Sequence, residues 1–153
     1  MKVLLDTGIL LRLVNRGDKF HRSVVSAVLI LRRRGDALVT TSQNIAEFWN
    51  VSTRPAQARG GLGRTIQQTE RCVQFFERLG TVLRDAPSAY DIWRGLVITH
   101  QISGKAVHDA RLVALMTVSA VNHIVTLNPD DFRRYPGITI LTPDELNAGE
   151  ATF

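Results

Sequence analysis

The stretch that most constrains this chain is Lys2-Val3-Leu4-Leu5-Asp6. Three apolar residues in a row predict a strand buried on both faces, the kind found in parallel sheets flanked by helices. The strand ends in a carboxylate. A buried charge is costly unless it is hydrogen-bonded, neutralised or bound to a cation. Ile9, Leu10, Leu11, Leu13 and Val14 follow at once and predict a helix packed back on the strand. Asp6 therefore stands where a strand hands over to a helix, the edge at which open α/β sheets bind ligands.

The rest of the chain alternates in the same way. Val24, Val25, Val28, Leu29 and Leu31 recur at helical spacing, and Arg32-Arg33-Arg34-Gly35 closes that helix with cations and a glycine stop. Strands are predicted at 37–40, 81–83, 124–126 and 138–141, with helices between them. Thr65 with Gln68, Ser88 with Asp91, and Thr142 with Glu145 have the capping-box spacing of helix starts. The stretch from Arg54 to Gly63, with Pro55, Gly60, Gly61 and Gly63, predicts a mobile loop. No internal repeat interrupts the alternation. It implies an α/β fold of three layers, α/β/α, around a mostly parallel five-stranded sheet. A single domain is expected over residues 1–147, with 148–153 as a frayed tail.

Bulk properties narrow the function classes. With 44% hydrophobic residues the chain is globular. Its one cysteine, Cys72, excludes an internal disulfide and fits a reducing compartment, so a cytoplasmic location is expected. The four histidines lack zinc-like spacing. Asp6 interrupts the opening apolar run, against a signal peptide, and the longest apolar stretches fall short of the ~20 residues of a membrane span. A net charge of +5 favours polyanionic partners such as RNA or DNA, and also suits ordinary solubility.

Three further acids are unusually placed. Asp109 precedes Leu112, Val113 and Met116 by three, four and seven residues, which puts a carboxylate on the apolar stripe of its helix. A first-turn acid is favoured by the helix dipole, but that does not explain one on the buried face. Glu47 follows the second strand; its spacing from Asn44 also fits a capping box. Asp131 lies in the turn after the fourth strand, beside Pro129 and Asp130. In a parallel sheet the ends carrying Asp6, Glu47 and Asp131 share one side, and Asp109 joins them if its helix starts there. Gathered acids raise one another's pKa, and a hard divalent cation, Mg²⁺ or Mn²⁺, resolves the repulsion. Such a site suits phosphodiester hydrolysis.

These residues match a family. The chain resembles PIN-domain ribonucleases, and among them the VapC-type toxins of bacterial toxin–antitoxin systems. The resemblance rests on Leu4-Leu5-Asp6-Thr7-Gly8-Ile9-Leu10, Asn44-Ile45-Ala46-Glu47-Phe48, His108-Asp109-Ala110-Arg111-Leu112-Val113-Ala114 and Thr126-Leu127-Asn128-Pro129-Asp130-Asp131-Phe132. It implies a PIN fold and a Mg²⁺- or Mn²⁺-dependent endoribonuclease, with Asp6, Glu47 and Asp109 holding the metal directly or through water. The fourth acidic position falls on Asp131 or on Asn128; Asp131 is favoured, with Asn128 assisting as a neutral ligand. Thr7 and Thr126 match hydroxyl positions that orient the acids or the water. Gly8 stands where relatives often carry Asn or Ser. The resemblance also implies a homodimer, a cognate antitoxin whose tail occupies the groove, and structured RNA as substrate.

The reading is a single-domain endoribonuclease toxin that hydrolyses RNA with a metal-activated water. Arg54, Arg59 and Arg64 are candidate RNA grips, as are Lys105 and Arg111 beside Asp109. Two alternatives stand. A phosphatase-like or receiver-type domain also has an Asp after its first strand, but Gly8 occupies the position of the second Asp that a haloacid-dehalogenase pattern needs, and no phosphate-binding glycine loop follows. A PIN-like module that binds RNA or protein without cutting is the non-enzymatic alternative.

Overall fold

The computed structural model describes residues 1–151 of the 153. The first strand, β1 (Lys2–Leu5), leads through Asp6 into α1 (Thr7–Val14); α2 (His21–Arg33), β2 (Ala37–Thr41) and α3 (Ser42–Thr53) follow. Then come α4 (Ile66–Leu79), β3 (Thr81–Leu83), α5 (Ala89–Thr99), α6 (Ala106–Val118), β4 (His123–Val125), a 3-10 turn at Pro129–Asp131, β5 (Thr139–Leu141) and α7 (Pro143–Ala148). The five strands lie in the order β3-β2-β1-β4-β5, and every neighbouring pair is parallel.

The alternation of side chains along the strands divides the core in two. Val3 and Leu5 of β1, Leu38 of β2 and Val125 of β4 join a cluster with Ile9, Leu10, Val24, Leu31, Phe48 and Phe76. Leu4, Val39 and Ile124, one residue out of step, join Val113, Met116, Phe132 and Tyr135 on the opposite face. The sheet is thus covered on both sides, α1–α4 and α7 on one and α5–α6 on the other, which is why its central strands are apolar throughout. Helix α4 ends where Gly80 passes β2: a Cβ there would lie 2.3 Å from the Leu38 carbonyl oxygen, so only glycine permits the approach.

Several local expectations change. The capping boxes of Thr65 with Gln68 and Thr142 with Glu145 form, but Ser88 has helical backbone angles and makes no side-chain cap. The glycine-rich stretch after α3 is tied down rather than mobile. Leu62 and Arg64 donate backbone N–H bonds to Val51 and Ser52, and Gly63 to Arg54, satisfying carbonyls at the end of α3. Helix α7 includes Ala148, Gly149 closes it in the left-handed region, and Ala151 packs against the core. Phe153 and Thr152 of the expected tail lie outside the described residues.

Candidate active site

The site forms at the C-terminal edge of β1 and β4, where the strand order reverses direction from the centre of the sheet. In open α/β sheets ligands bind at such a switch point, outside the carboxyl ends of the strands. Asp6 N–H donates to the Val125 carbonyl at 3.1 Å, extending the β1–β4 pairing by one residue and fixing Asp6 beside β4. Its side chain caps α1, one oxygen accepting from Thr7 N–H at 2.7 Å. The other accepts from Thr126 Oγ1 at 2.7 Å. Thr126 is fully buried, and its hydroxyl accepts in turn from Asn128 N–H at 3.0 Å.

Glu47 reaches the same edge from α3. Thr41, not Asn44, caps that helix, so Glu47 lies beyond its first turn and the capping role that its spacing allowed is not used. Its carboxylate instead accepts from Thr7 Oγ1 at 2.6 Å and from Gln43 Nε2 at 3.0 Å. Behind it runs a buried relay: Thr41 Oγ1 donates to Asn44 Oδ1 at 2.7 Å, and Asn44 Nδ2 donates to Thr7 Oγ1 at 3.0 Å. Thr7 can therefore give its one proton only to Glu47, which fixes the direction of that bond. Gln43 also donates to the His108 carbonyl at 2.9 Å, tying α3 to the start of α6 and so to Asp109.

The four acids act on one another electrostatically. Burial pushes the Asp6 carboxyl up, Glu47 and Asp131 add to this, and the Thr126 and Thr7 hydrogen bonds oppose it. Burial, then Asp131, Asp6 and Glu47, raise half-buried Asp109 to about 6, against a small opposing influence of His108. Asp130 points elsewhere, paired with Arg133 at 3.1 Å. Tyr135 was not among the residues anticipated. Among the described residues its buried hydroxyl has no hydrogen-bond partner, and burial, with Asp109 and Asp131, raises its pKa against the pull of Arg134. Asn44 and Gln43 were also missed, because in sequence both read as helix-start residues; no pattern in the sequence marks Tyr135.

Among the described residues, no three His, Cys, Asp or Glu side chains close into a ready-made metal cage. Mg²⁺ does not require one: it commonly takes one or two carboxylates and keeps several waters. The donor set of hard carboxylate oxygens, with the proton affinity of Asp6 and Asp109 raised, fits such a hydrated ion.

The predicted RNA grips divide. Arg64 donates to the Val14 carbonyl and to Cys72 Sγ, and so clamps α1 to α4 instead of facing a ligand. Arg54 donates to the Arg59 carbonyl at 3.0 Å, clasping its own loop. The side chains of Arg59 and Lys105 are exposed. Arg111 is exposed as well and pairs with Asp85 at 3.2 Å.

Comparison with known proteins settles the family. A PIN-domain family model matches residues 3–138. The chain belongs to the PIN-domain family. No curated protein matches the sequence. Among solved structures it is similar to VapBC2 from Rickettsia felis bound to a promoter DNA fragment, with TM-score 0.67 and 15% identity over 93% of this chain and 98% of that one. It is also similar to DNA-bound VapBC from Salmonella typhimurium, with TM-score 0.66 and 16% identity over 94% and 98%. A third is VapC20 of Mycobacterium tuberculosis, a toxin that cleaves the sarcin–ricin loop, with TM-score 0.56 and 18% identity over 80% and 86%. At these identities the likeness carries the shared PIN fold. No helix among the described residues is long and apolar enough to cross a membrane.

Proposed function

We propose that this PIN domain is a divalent-metal-dependent endoribonuclease and the toxin of a toxin–antitoxin pair. The observation that carries the reading is the convergence of Asp6, Glu47, Asp109 and Asp131 in one electrostatic field at the sheet's switch point. Asp6 and Glu47 are the best-held acids, through Thr126, Thr7 and Gln43, and would hold Mg²⁺ or Mn²⁺. Asp109 and Asp131 complete the negative field, with Asn128 at the rim as a neutral oxygen donor. When bound, such an ion lowers the pKa of water and neutralises charge on a phosphate. The chain's own work is positional: Thr126 and Thr7 fix the carboxylate planes, and the α3–α6 tie through Gln43 holds Asp109 opposite them.

The similar structures support the biological role. Two are VapBC structures bound to DNA, and a third is a toxin that cleaves the sarcin–ricin loop. A cognate antitoxin and a homodimer belong to this reading by analogy. The test is cleavage of total cellular RNA by purified protein with Mg²⁺ or Mn²⁺, with chelator, and with Asp6→Ala. Discrete fragments that require both the ion and Asp6 are expected. RNA binding without cleavage under either ion would instead make the domain a binding module.

A further inference from the structure

A hollow outside the acid cluster lies between α5, α6 and the start of α3. Its volume is about 480 Å³, within the ~300–1,000 Å³ of typical small-ligand sites. Gln43, Asp85, Tyr90, Trp93, Arg111 and Leu115 are among its lining residues.

Its chemistry is that of a platform for a flat, polar-edged ring. Trp93 is fixed in place because its indole N–H donates to the Val107 carbonyl at 2.9 Å. Tyr90 lies 5.9 Å from it, centroid to centroid, and remains 59% exposed. The Arg94 guanidinium stands 5.8 Å from the Tyr90 ring, and Arg111, on the lining, pairs with Asp85 at 3.2 Å. An exposed ring beside a cation suits a stacked base, and a phosphate can take Arg111 from an ion pair that is open to solvent.

The hollow is also coupled to the acids. Gln43 lines it and donates both to Glu47 and to the carbonyl of His108, the residue before Asp109. We propose that this hollow binds an unpaired nucleobase of the RNA strand, next to the phosphate held at the acids, with Tyr90 as the stacking residue and Arg111 as a phosphate contact. The proposal rests on the nuclease reading for its substrate. It deepens that reading, because a base held there must be unstacked, so the domain would select single-stranded or looped RNA over duplex.

The experiment is binding of a fluorescently labelled, mixed-sequence single-stranded decaribonucleotide, and of its duplex form, measured by anisotropy in chelator. Wild type, Tyr90→Ala, Arg111→Gln and Ile98→Ser are compared, the last altering an exposed residue of α5 outside the hollow. Tyr90→Ala should weaken single-strand binding by about 5- to 150-fold, the range for loss of one stacked base, with little effect on duplex. Arg111→Gln should reduce the slope of log affinity against log salt by about 0.7. Ile98→Ser should bind as wild type does. Equal affinity of Tyr90→Ala and wild type, or no measurable binding by wild type, overturns the proposal. So does a dimer, detected by sedimentation, that dissociates on Tyr90→Ala with RNA affinity unchanged; the hollow would then belong to a subunit contact. The chelator separates the two readings: Tyr90-dependent binding without metal-dependent cleavage removes the nuclease and keeps the base site, and cleavage indifferent to Tyr90 does the reverse.

Discussion

At the scale of single residues, Thr126 shows how a neutral side chain governs the charged ones. It contributes no charge, yet it supplies one of the two hydrogen bonds that oppose the upward push of burial on Asp6. Thr126→Val keeps the shape and removes the hydroxyl. Asp6 then loses a donor and Asn128 N–H loses its acceptor, so a stability loss of about 1–3 kcal/mol is expected. The Asp6 carboxyl should also rise further, and Mn²⁺ affinity measured calorimetrically at pH 7 should fall. Unchanged stability and metal affinity would mean that Asp6 is organised by Thr7 alone. Asp6 and Asp109 stand out in the sequence because each breaks a local rule: one ends an apolar strand, and the other sits on an apolar helix stripe. Asn44 and Tyr135 do not, because a buried amide in a helix start and a tyrosine in a loop break none; only tertiary contact gives them a place.

At the scale of elements, hydrophobic periodicity and capping patterns were legible because each depends on neighbours within a few residues. The capping boxes at Thr65 and Thr142 are of this kind. The segment between α3 and α4 misleads for the opposite reason. Its glycines and proline signal turns correctly, but its order comes from Leu62, Gly63 and Arg64 folding back on α3, and from the Arg64 guanidinium reaching Val14 fifty residues away. This separates two arginines that look alike in sequence. Arg64→Ala should lower stability by about 1–2 kcal/mol, through loss of its bonds to the Val14 carbonyl and Cys72, and leave RNA affinity unchanged. Arg59→Ala, at an exposed side chain, should leave the unfolding midpoint in place. Denaturant unfolding and RNA binding of the two variants check both statements. A stable Arg64→Ala protein with weakened RNA binding would return Arg64 to the RNA face.

At the scale of the whole molecule, the switch point concentrates negative charge in a chain that is otherwise basic, so the fold carries a built-in opposition between site and stability. Its sign follows from linkage. The folded-state pKa of Asp109 is raised from 3.8 to about 6, so between those values the folded protein binds a proton that the unfolded chain does not. Without metal, stability should therefore fall as pH rises through that window and stay low above it. Solvent screens half-buried Asp109, so its share is about 1 kcal/mol between pH 5 and pH 7.5. This corresponds to an unfolding midpoint about 2–4 °C lower at the higher pH. Other groups titrate in the same range, so the informative quantity is the difference between wild type and Asp109→Asn across the pH series. The variant should lack this component, be at least as stable as wild type at pH 7.5 in chelator, and cleave no RNA. Adding Mn²⁺ should reverse the order at pH 7.5, because an ion that binds only the folded state stabilises by mass action and needs the carboxylates ionised. That stabilisation should fade toward pH 5 as protons compete. A metal-free Asp109→Asn protein clearly less stable than wild type at pH 7.5 would show that Asp109 supports the fold rather than opposing it, and would remove the physical reason for placing an ion there.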